Sequence, residues 1–286
     1  MLEYRLSILY PYMDAFVLVE STRTHKGSLK PLYYQENKER YAKYADKIVH
    51  VVVEDLLAEP KIDFDLTKGE QWVNEKHQRD GISLGIDSLA KGAMGWNLEE
   101  KDILFISDAD EIIDMNKIDN IRSSLEIPEF QGIFTVTMDM YYYHLQNKLR
   151  EIWDKAKVIT YSYYLSIPYT QYHGVKSFRN ISEKVRLLPS YGLKDTVFGW
   201  HLSYFGSPDM ISNKLKEFGH QEFNSSIFTN PESIKQRIEK GADILGRPKS
   251  MIDFDKIELS ENTYLPPYPP CLEGIEPLSL FPFSLS

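Results

Sequence analysis

Two aspartates one residue apart, Asp108-Ala109-Asp110, follow an unbroken apolar run at residues 103–106. Carboxylates at that spacing can hold a hard divalent cation together with phosphate oxygens. The triplet alone says little, because the chain also contains Asp63-Phe64-Asp65 and Asp253-Phe254-Asp255. Those two sit in polar, loop-like surroundings and read as solvated turns. The middle triplet leaves a buried strand, where an aspartate either binds metal and phosphate or caps a following helix. A phosphatase that attacks phosphate with a strand-end aspartate is a further reading. In such enzymes the nucleophile strand opens the domain, whereas here two β-prone segments precede it.

The elements that must carry this triplet alternate in character. Residues 16–19 and 48–53 are β-prone, and 35–46 are charged with Tyr41, Ala42 and Ala45 at helical spacing. Residues 71–90 read as one long helix with Trp72, Ile82, Ile86 and Leu89 near one face, weakened by Gly81 and Gly85. This alternation predicts an α/β layer fold with a mainly parallel sheet, whose ligands bind at the carboxyl ends of strands. Further along, aromatic-rich strands are predicted over 133–143, 158–164, 184–188 and 197–204, and helices over 208–218 and 231–240. Consecutive prolines within 265–270 exclude a central strand or helix there. The organisation expected is one domain over 1–245 and a Pro-rich tail, 246–286, packed upon it.

Composition narrows the function classes. With 33 Lys and Arg against 42 Asp and Glu, the net charge of −9 argues against nucleic-acid binding, which needs a basic stripe. No apolar run approaches the ~18 residues of a membrane span, and no signal-peptide pattern opens the chain. The single cysteine, Cys271, excludes an intrachain disulfide and a Cys-rich zinc cage. Together these predict a cytoplasmic protein. The 19 tyrosines suit surfaces that face sugar rings as well as a filled core.

Several short motifs, taken in order, resemble the glycosyltransferases of family 17, which include the enzyme that adds the bisecting GlcNAc to N-glycans. They are Met13-Asp14-Ala15-Phe16-Val17-Leu18-Val19-Glu20-Ser21, then Thr24, Gly27 and Lys30-Pro31-Leu32, then Tyr44-Ala45-Asp46-Lys47-Ile48. Trp72 with Gln78-Arg79-Asp80, Ser107-Asp108-Ala109-Asp110-Glu111-Ile112, and Gly199-Trp200-His201 with Ser203 complete the series. The likeness covers roughly residues 1–230. It implies a GT-A-like, Rossmann-like nucleotide-sugar fold with a C-terminal acceptor-side β/α region. It also implies transfer of a sugar, GlcNAc first, from a UDP-sugar to a glycan acceptor with Mn²⁺ or Mg²⁺. A transferase using another nucleotide sugar, a phosphatase-like hydrolase and a catalytically silent glycan-binding relative are the alternatives.

Within that resemblance Asp110 is the expected direct metal ligand, Asp108 a ligand or ribose contact, and His201 the third ligand, since neutral imidazole suits Mn²⁺. His201 beside Trp200 is equally readable as a hydrogen-bonded core residue. Lys30, and Arg79 within Gln78-Arg79-Asp80, are the expected phosphate contacts, although Arg79 has a ready i−4 partner in Glu75. Glu20, Ser21 and Asp80 are the remaining candidate donor contacts. Inversion needs one carboxylate to accept the proton of the acceptor hydroxyl. Glu222 is the first candidate for that base and Asp139 the second. Trp153 and Tyr141-Tyr142-Tyr143 could stack on sugar faces or fill the core.

Overall fold

The computed structural model describes residues 1–58, 72–127, 133–167, 196–219 and 221–267. The expected strand at 184–188, the Asp63-Phe64-Asp65 triplet and Cys271 lie outside the described residues. The chain opens with helix α1 (Leu2–Leu9), which buries Leu6, Ile8 and Leu9. Strands β1 (Phe16–Ser21) and β2 (Ile48–Val53) then pair in parallel, with Phe16 opposite Ile48 and Ser21 opposite Val53. Between them lie a short helix, α2 (Tyr33–Glu36), and a 3₁₀ stretch, Lys38–Lys47, in place of the single helix expected over 35–46. Asn37, outside the helical region at φ −117°, separates the two.

The long helix expected over 71–90 is two helices, α3 (Val73–Asp80) and α4 (Ile82–Ala90), which meet at Gly81. Close packing explains both glycines. A Cβ at Gly81 would lie 2.8 Å from Val53 and 3.2 Å from Val19, and one at Gly85 would lie 2.2 Å from Val17. The residues that weaken the helical pattern are therefore those that let the helices press onto β1 and β2.

Next come β3 (Ile103–Ile106), β4 (Glu111–Ile113), α5 (Ile118–Leu125), β5 (Ile133–Thr135), β6 (Asp139–Tyr142), β7 (Asn147–Leu149) and β8 (Lys157–Thr160). They are followed by α6 (Tyr161–Ser166), β9 (Gly199–Ser203), α7 (Pro208–Glu217), α8 (Ser226–Thr229), α9 (Pro231–Lys240) and β10 (Phe254–Lys256). The chain is thus mixed α/β, but the mainly parallel sheet is not found. Among the described residues, β1–β2 and β6–β9 pair in parallel, and every other pairing is antiparallel. The strands form a pair β1-β2, a three-stranded sheet β3-β8-β5 and a five-stranded sheet β10-β7-β6-β9-β4. Connection length accounts for part of this. Parallel neighbours need a crossover of roughly a dozen residues or more, and the link 143–146 between β6 and β7 allows only an antiparallel return.

Other expectations change for local reasons. β3 is apolar but half-buried, because it sits at the edge of its sheet beside β8. The strand expected over 158–164 stops at Thr160, whose hydroxyl accepts from the Tyr163 amide and starts α6. The Asp253-Phe254-Asp255 triplet is not a solvated turn. It runs into edge strand β10, with Arg150 bridging Asp253 at 2.5 Å and Asp255 at 2.7 Å.

One side of the five-stranded sheet contributes Ile112, Tyr141, Trp200 and Leu202 to the main core. The other is covered by α7 and α9 through Ile211, Leu215, Ile234 and Ile238. Tyr264 stacks on Trp200 with ring centres 4.7 Å apart and donates to Asp114 at 3.0 Å, which lays residues near 264 over the first side. No helix among the described residues is long and apolar enough to cross a membrane.

The Gly85 contact has a measurable consequence. Gly85→Ala is expected to lower stability by about 1–3 kcal/mol in urea unfolding, because the new methyl meets Val17. Gly206→Ala, where a Cβ meets nothing closer than 3.5 Å, is expected to stay within about 0.5 kcal/mol of the parent. Equal effects at the two positions would contradict the close approach of α4 to β1.

Candidate active site

The chain leaves β3 at Ile106, turns through Ser107-Asp108-Ala109-Asp110 and enters β4 at Glu111. Three carboxylates thus fall within four residues, and each has a defined partner. Arg5, from α1, holds the turn from behind. Its guanidinium donates to the Ser107 hydroxyl at 2.8 Å, to the Asp108 carbonyl at 3.0 Å, and to the Glu111 carbonyl. Glu111 is buried and accepts from the Trp153 indole at 2.6 Å and the Asp108 amide at 2.8 Å. Burial, and then the Asp108 charge, raise its pKa.

Asp108 is gripped by Arg79 of α3. One guanidinium nitrogen lies 2.8 Å from each carboxylate oxygen, a bidentate fork. The same guanidinium reaches Glu75 one turn back at 3.3 Å, so both readings of Arg79 hold together. Asp110 faces elsewhere. Its Oδ1 is 3.6 Å from His201 Nε2 and its Oδ2 is 3.5 Å from the ammonium of Lys214 on α7. Burial alone would raise the Asp110 pKa, but His201 and Lys214 together hold it well below the usual carboxylate range.

His201 reaches this place by register. On β9 it is opposite Glu111 of β4 and Met140 of β6, so these three project from one face of the sheet. Its ring lies 4.4 Å from that of Trp153, and its Nδ1 is buried without a hydrogen-bond partner. The separation from Asp110 is too long for a hydrogen bond. It suits two ligands of one ion, since ligands ~2.1 Å from a small divalent cation lie within ~4.2 Å of each other. Among the described residues no cluster of three His, Cys, Asp or Glu side chains converges. Asp110 and His201 are the two side chains here that could hold a metal together. Asp108, with both oxygens on Arg79, stands apart from that pair.

The other candidates divide into neighbours of the turn and residues engaged elsewhere. Ser21, fully buried at the end of β1, has its single hydroxyl hydrogen between two acceptors, the Arg23 carbonyl at 2.7 Å and the Gln78 side-chain oxygen at 2.9 Å. His25 meets the same Gln78 oxygen at 3.1 Å, and its pKa is lowered by burial. Glu20 is committed to the fold. Its carboxylate accepts from the Tyr34 and Gln35 amides at 2.8 and 3.1 Å and faces His50 at 2.9 Å. Lys30 lies over the Tyr33 ring, and Asp80 is buried at the end of α3.

Asp139 projects from the sheet face opposite to His201, since its register partner is Trp200, and it pairs with Lys148 at 2.6 Å. The structure therefore does not bring it to Asp110. Glu222 is exposed in a 3₁₀ turn, Gln221–Phe223, just beyond α7. This end of α7 adjoins the loop after β1 and the start of α3. Glu217 accepts from Thr24 at 2.9 Å, and a Cβ on Gly219 would fall 2.9 Å from the Trp72 ring and 3.3 Å from Glu75. Tyr141, Tyr142 and Tyr143 are all buried and serve the core instead of an exposed sugar platform. A separate cavity of about 300 Å³ at the end of β2 is lined by Val53, Asp55, His77, Gly81 and Leu84 among others.

Arg5, Gln78 as a partner of Ser21, and Lys214 are the residues that sequence reasoning missed. The only available signal for Arg5 was a cation next to the leucines and isoleucine of the opening helix.

Comparison with known proteins adds one positive finding. The model of the family described as Glycosyltransferase family 17 matches residues 1–257. No curated protein and no solved structure matches the chain.

Arg5 leads to the testable outcome of this arrangement. Arg5→Met is expected to cost about 2–3 kcal/mol in urea unfolding, since two carbonyls and a hydroxyl lose their charged donor. Arg5→Lys is expected to recover only part, because an ammonium lacks the planar fork. Full stability in the Met variant would remove Arg5 from this role.

Proposed function

This chain belongs to glycosyltransferase family 17 and is a glycosyltransferase; on that premise we propose that it moves a sugar, GlcNAc first, from a UDP-sugar to a glycan acceptor with inversion. The reaction is proposed to occur at the turn between β3 and β4, flanked by α3 and α7. The observation that carries this reading is the Asp110–His201 pair, a carboxylate and an imidazole facing each other at 3.6 Å without a hydrogen bond. Asp110 and His201 would hold Mn²⁺ or Mg²⁺. Such an ion supplies positive charge against the negative charge that develops on a departing diphosphate.

The chain's own residues have the remaining tasks. Arg79, already forked onto Asp108, presents a planar cation suited to phosphate oxygens. Gln78 and His25, backed by the buried Ser21, would offer amide and imidazole groups to the nucleoside. Glu222 is the proposed base, because its turn follows the helix that brings Lys214 to Asp110, whereas Asp139 opens on the other face. In the reaction the acceptor oxygen bonds to the anomeric carbon and the bond from that carbon to the phosphate oxygen breaks. The leaving electron pair stays on phosphate, and the hydroxyl proton passes to the carboxylate.

The test is a panel of nucleotide sugars with Mn²⁺, read as nucleotide release with and without a glycan acceptor. UDP-GlcNAc is expected to be consumed. Asp110→Asn and His201→Ala are each expected to lose about 10–100-fold of metal-stimulated turnover, and Glu222→Gln to lose turnover with little change in donor affinity. Full activity in the Asp110 variant would overturn the metal assignment. Release of inorganic phosphate from simple esters, with no donor consumed, would replace the transferase by a hydrolase.

A further inference from the structure

Lys214 is a cation to which the proposed reaction gives no task, and its setting suits a ligand better than a fold contact. It is carried by α7, whose start is fixed by Ser207 accepting from the Met210 amide and by a proline at the first helical position. Ile211 and Leu215, on the same helix, are locked in the core. The lysine is thus held at a set height above the sheet. Its ammonium lies 5.0 Å from the centre of the Tyr204 ring and 3.5 Å from Asp110. Even so, 47% of the side chain remains open to solvent.

The arrangement mirrors Arg79. That guanidinium comes from a different helix, meets the other aspartate of the turn and is 36% exposed. Asp108 and Asp110 therefore each carry a partly exposed cation. The turn's three carboxylates, Asp108, Asp110 and Glu111, are matched in number by Arg5, Arg79 and Lys214, so without Lys214 the chain's own groups would turn a net negative charge toward an incoming diphosphate. An ammonium has three donors, so Lys214 can keep Asp110 and meet a phosphate oxygen at the same time.

We infer that Lys214 is a donor-binding residue whose ammonium contacts the diphosphate of the nucleotide sugar. This rests on the transferase reading and adds to it a charge supplied by the chain itself. In the transfer step the bond between the anomeric carbon and the phosphate oxygen breaks, and the electron pair remains on that oxygen. Lys214 meets the charge there and stays protonated throughout, while the proton of the acceptor goes to the carboxylate base. The same ammonium gives no advantage to a ligand without phosphate.

That last contrast sets the experiment. Binding of UDP, GDP, uridine and guanosine is measured by calorimetry on the full chain, with Mn²⁺ and again with a chelator. The variants are Lys214→Ala, Lys214→Met and Lys214→Arg, with thermal unfolding as the check on folding. Lys214→Met keeps an unbranched side chain of similar length and removes the ammonium that lies over Tyr204 and beside Asp110. The wild type is expected to bind a nucleoside diphosphate more tightly than its nucleoside. Both uncharged variants are expected to bind that diphosphate about 10-fold or more weakly, with the nucleoside unchanged and Lys214→Arg recovering most of the loss. Diphosphate affinity within twofold of wild type in Lys214→Met would reduce Lys214 to a partner of Asp110 and overturn the inference. A wild type that binds neither UDP nor GDP would instead overturn the proposed nucleotide-sugar donor on which it rests.

Discussion

Three carboxylates packed into four residues at the exit of an apolar strand cannot stand together unless cations and donors reach them from elsewhere in the chain. Here the supply is spread over the fold. Arg5 comes from the first helix, Arg79 from α3, Lys214 from α7 and the Trp153 indole from the segment before β8. Meeting that demand pulls distant segments onto one short turn, and the geometry of the candidate site follows from it. Asp108 is turned toward α3, Asp110 toward β9 and α7, and Glu111 inward. A triplet that reads as a symmetric pair of ligands becomes two aspartates with different surroundings and different work.

This division bears on how phosphate chemistry is arranged. A nucleophilic aspartate needs an open face, and Asp108 has both oxygens in the fork of Arg79. Asp110 has no hydrogen bond to His201, which faces it at 3.6 Å, and these two are the donors that the proposed ion would use. The loop after β1 and the start of α3 meet the end of α7, while the aromatic strand β6 turns its tyrosines into the core.

What the sequence revealed of this arrangement was local in origin. The apolar runs of β1, β2 and β3 and the amphipathic α7 and α9 are visible within their own segments, and so is the triplet at the end of β3. The order of motifs also led to the family that matches residues 1–257. Pairing direction was not legible, because it depends on where a strand returns, as β8 does between β3 and β5. The break at Gly81 was not legible either, since its cause is contact with Val53 and Val19 on other strands. Asp139 looked like a base in an aromatic wall, and only the register with Trp200 shows it on the opposite face from His201. Arg5 and Lys214 lie about a hundred residues from the turn on either side, a distance over which no periodicity carries information.

The central claim is that the turn holding Asp108 and Asp110 receives the diphosphate of a nucleotide sugar, with the ion between Asp110 and His201. Crystals soaked with UDP and Mn²⁺, with data collected at the manganese absorption edge, test it most directly. An anomalous peak within bonding distance of Asp110 and His201, and a diphosphate lying against Arg79, is the expected result. A UDP seated in the cavity lined by Val53, His77 and Leu84, with no ion at Asp110, would contradict it.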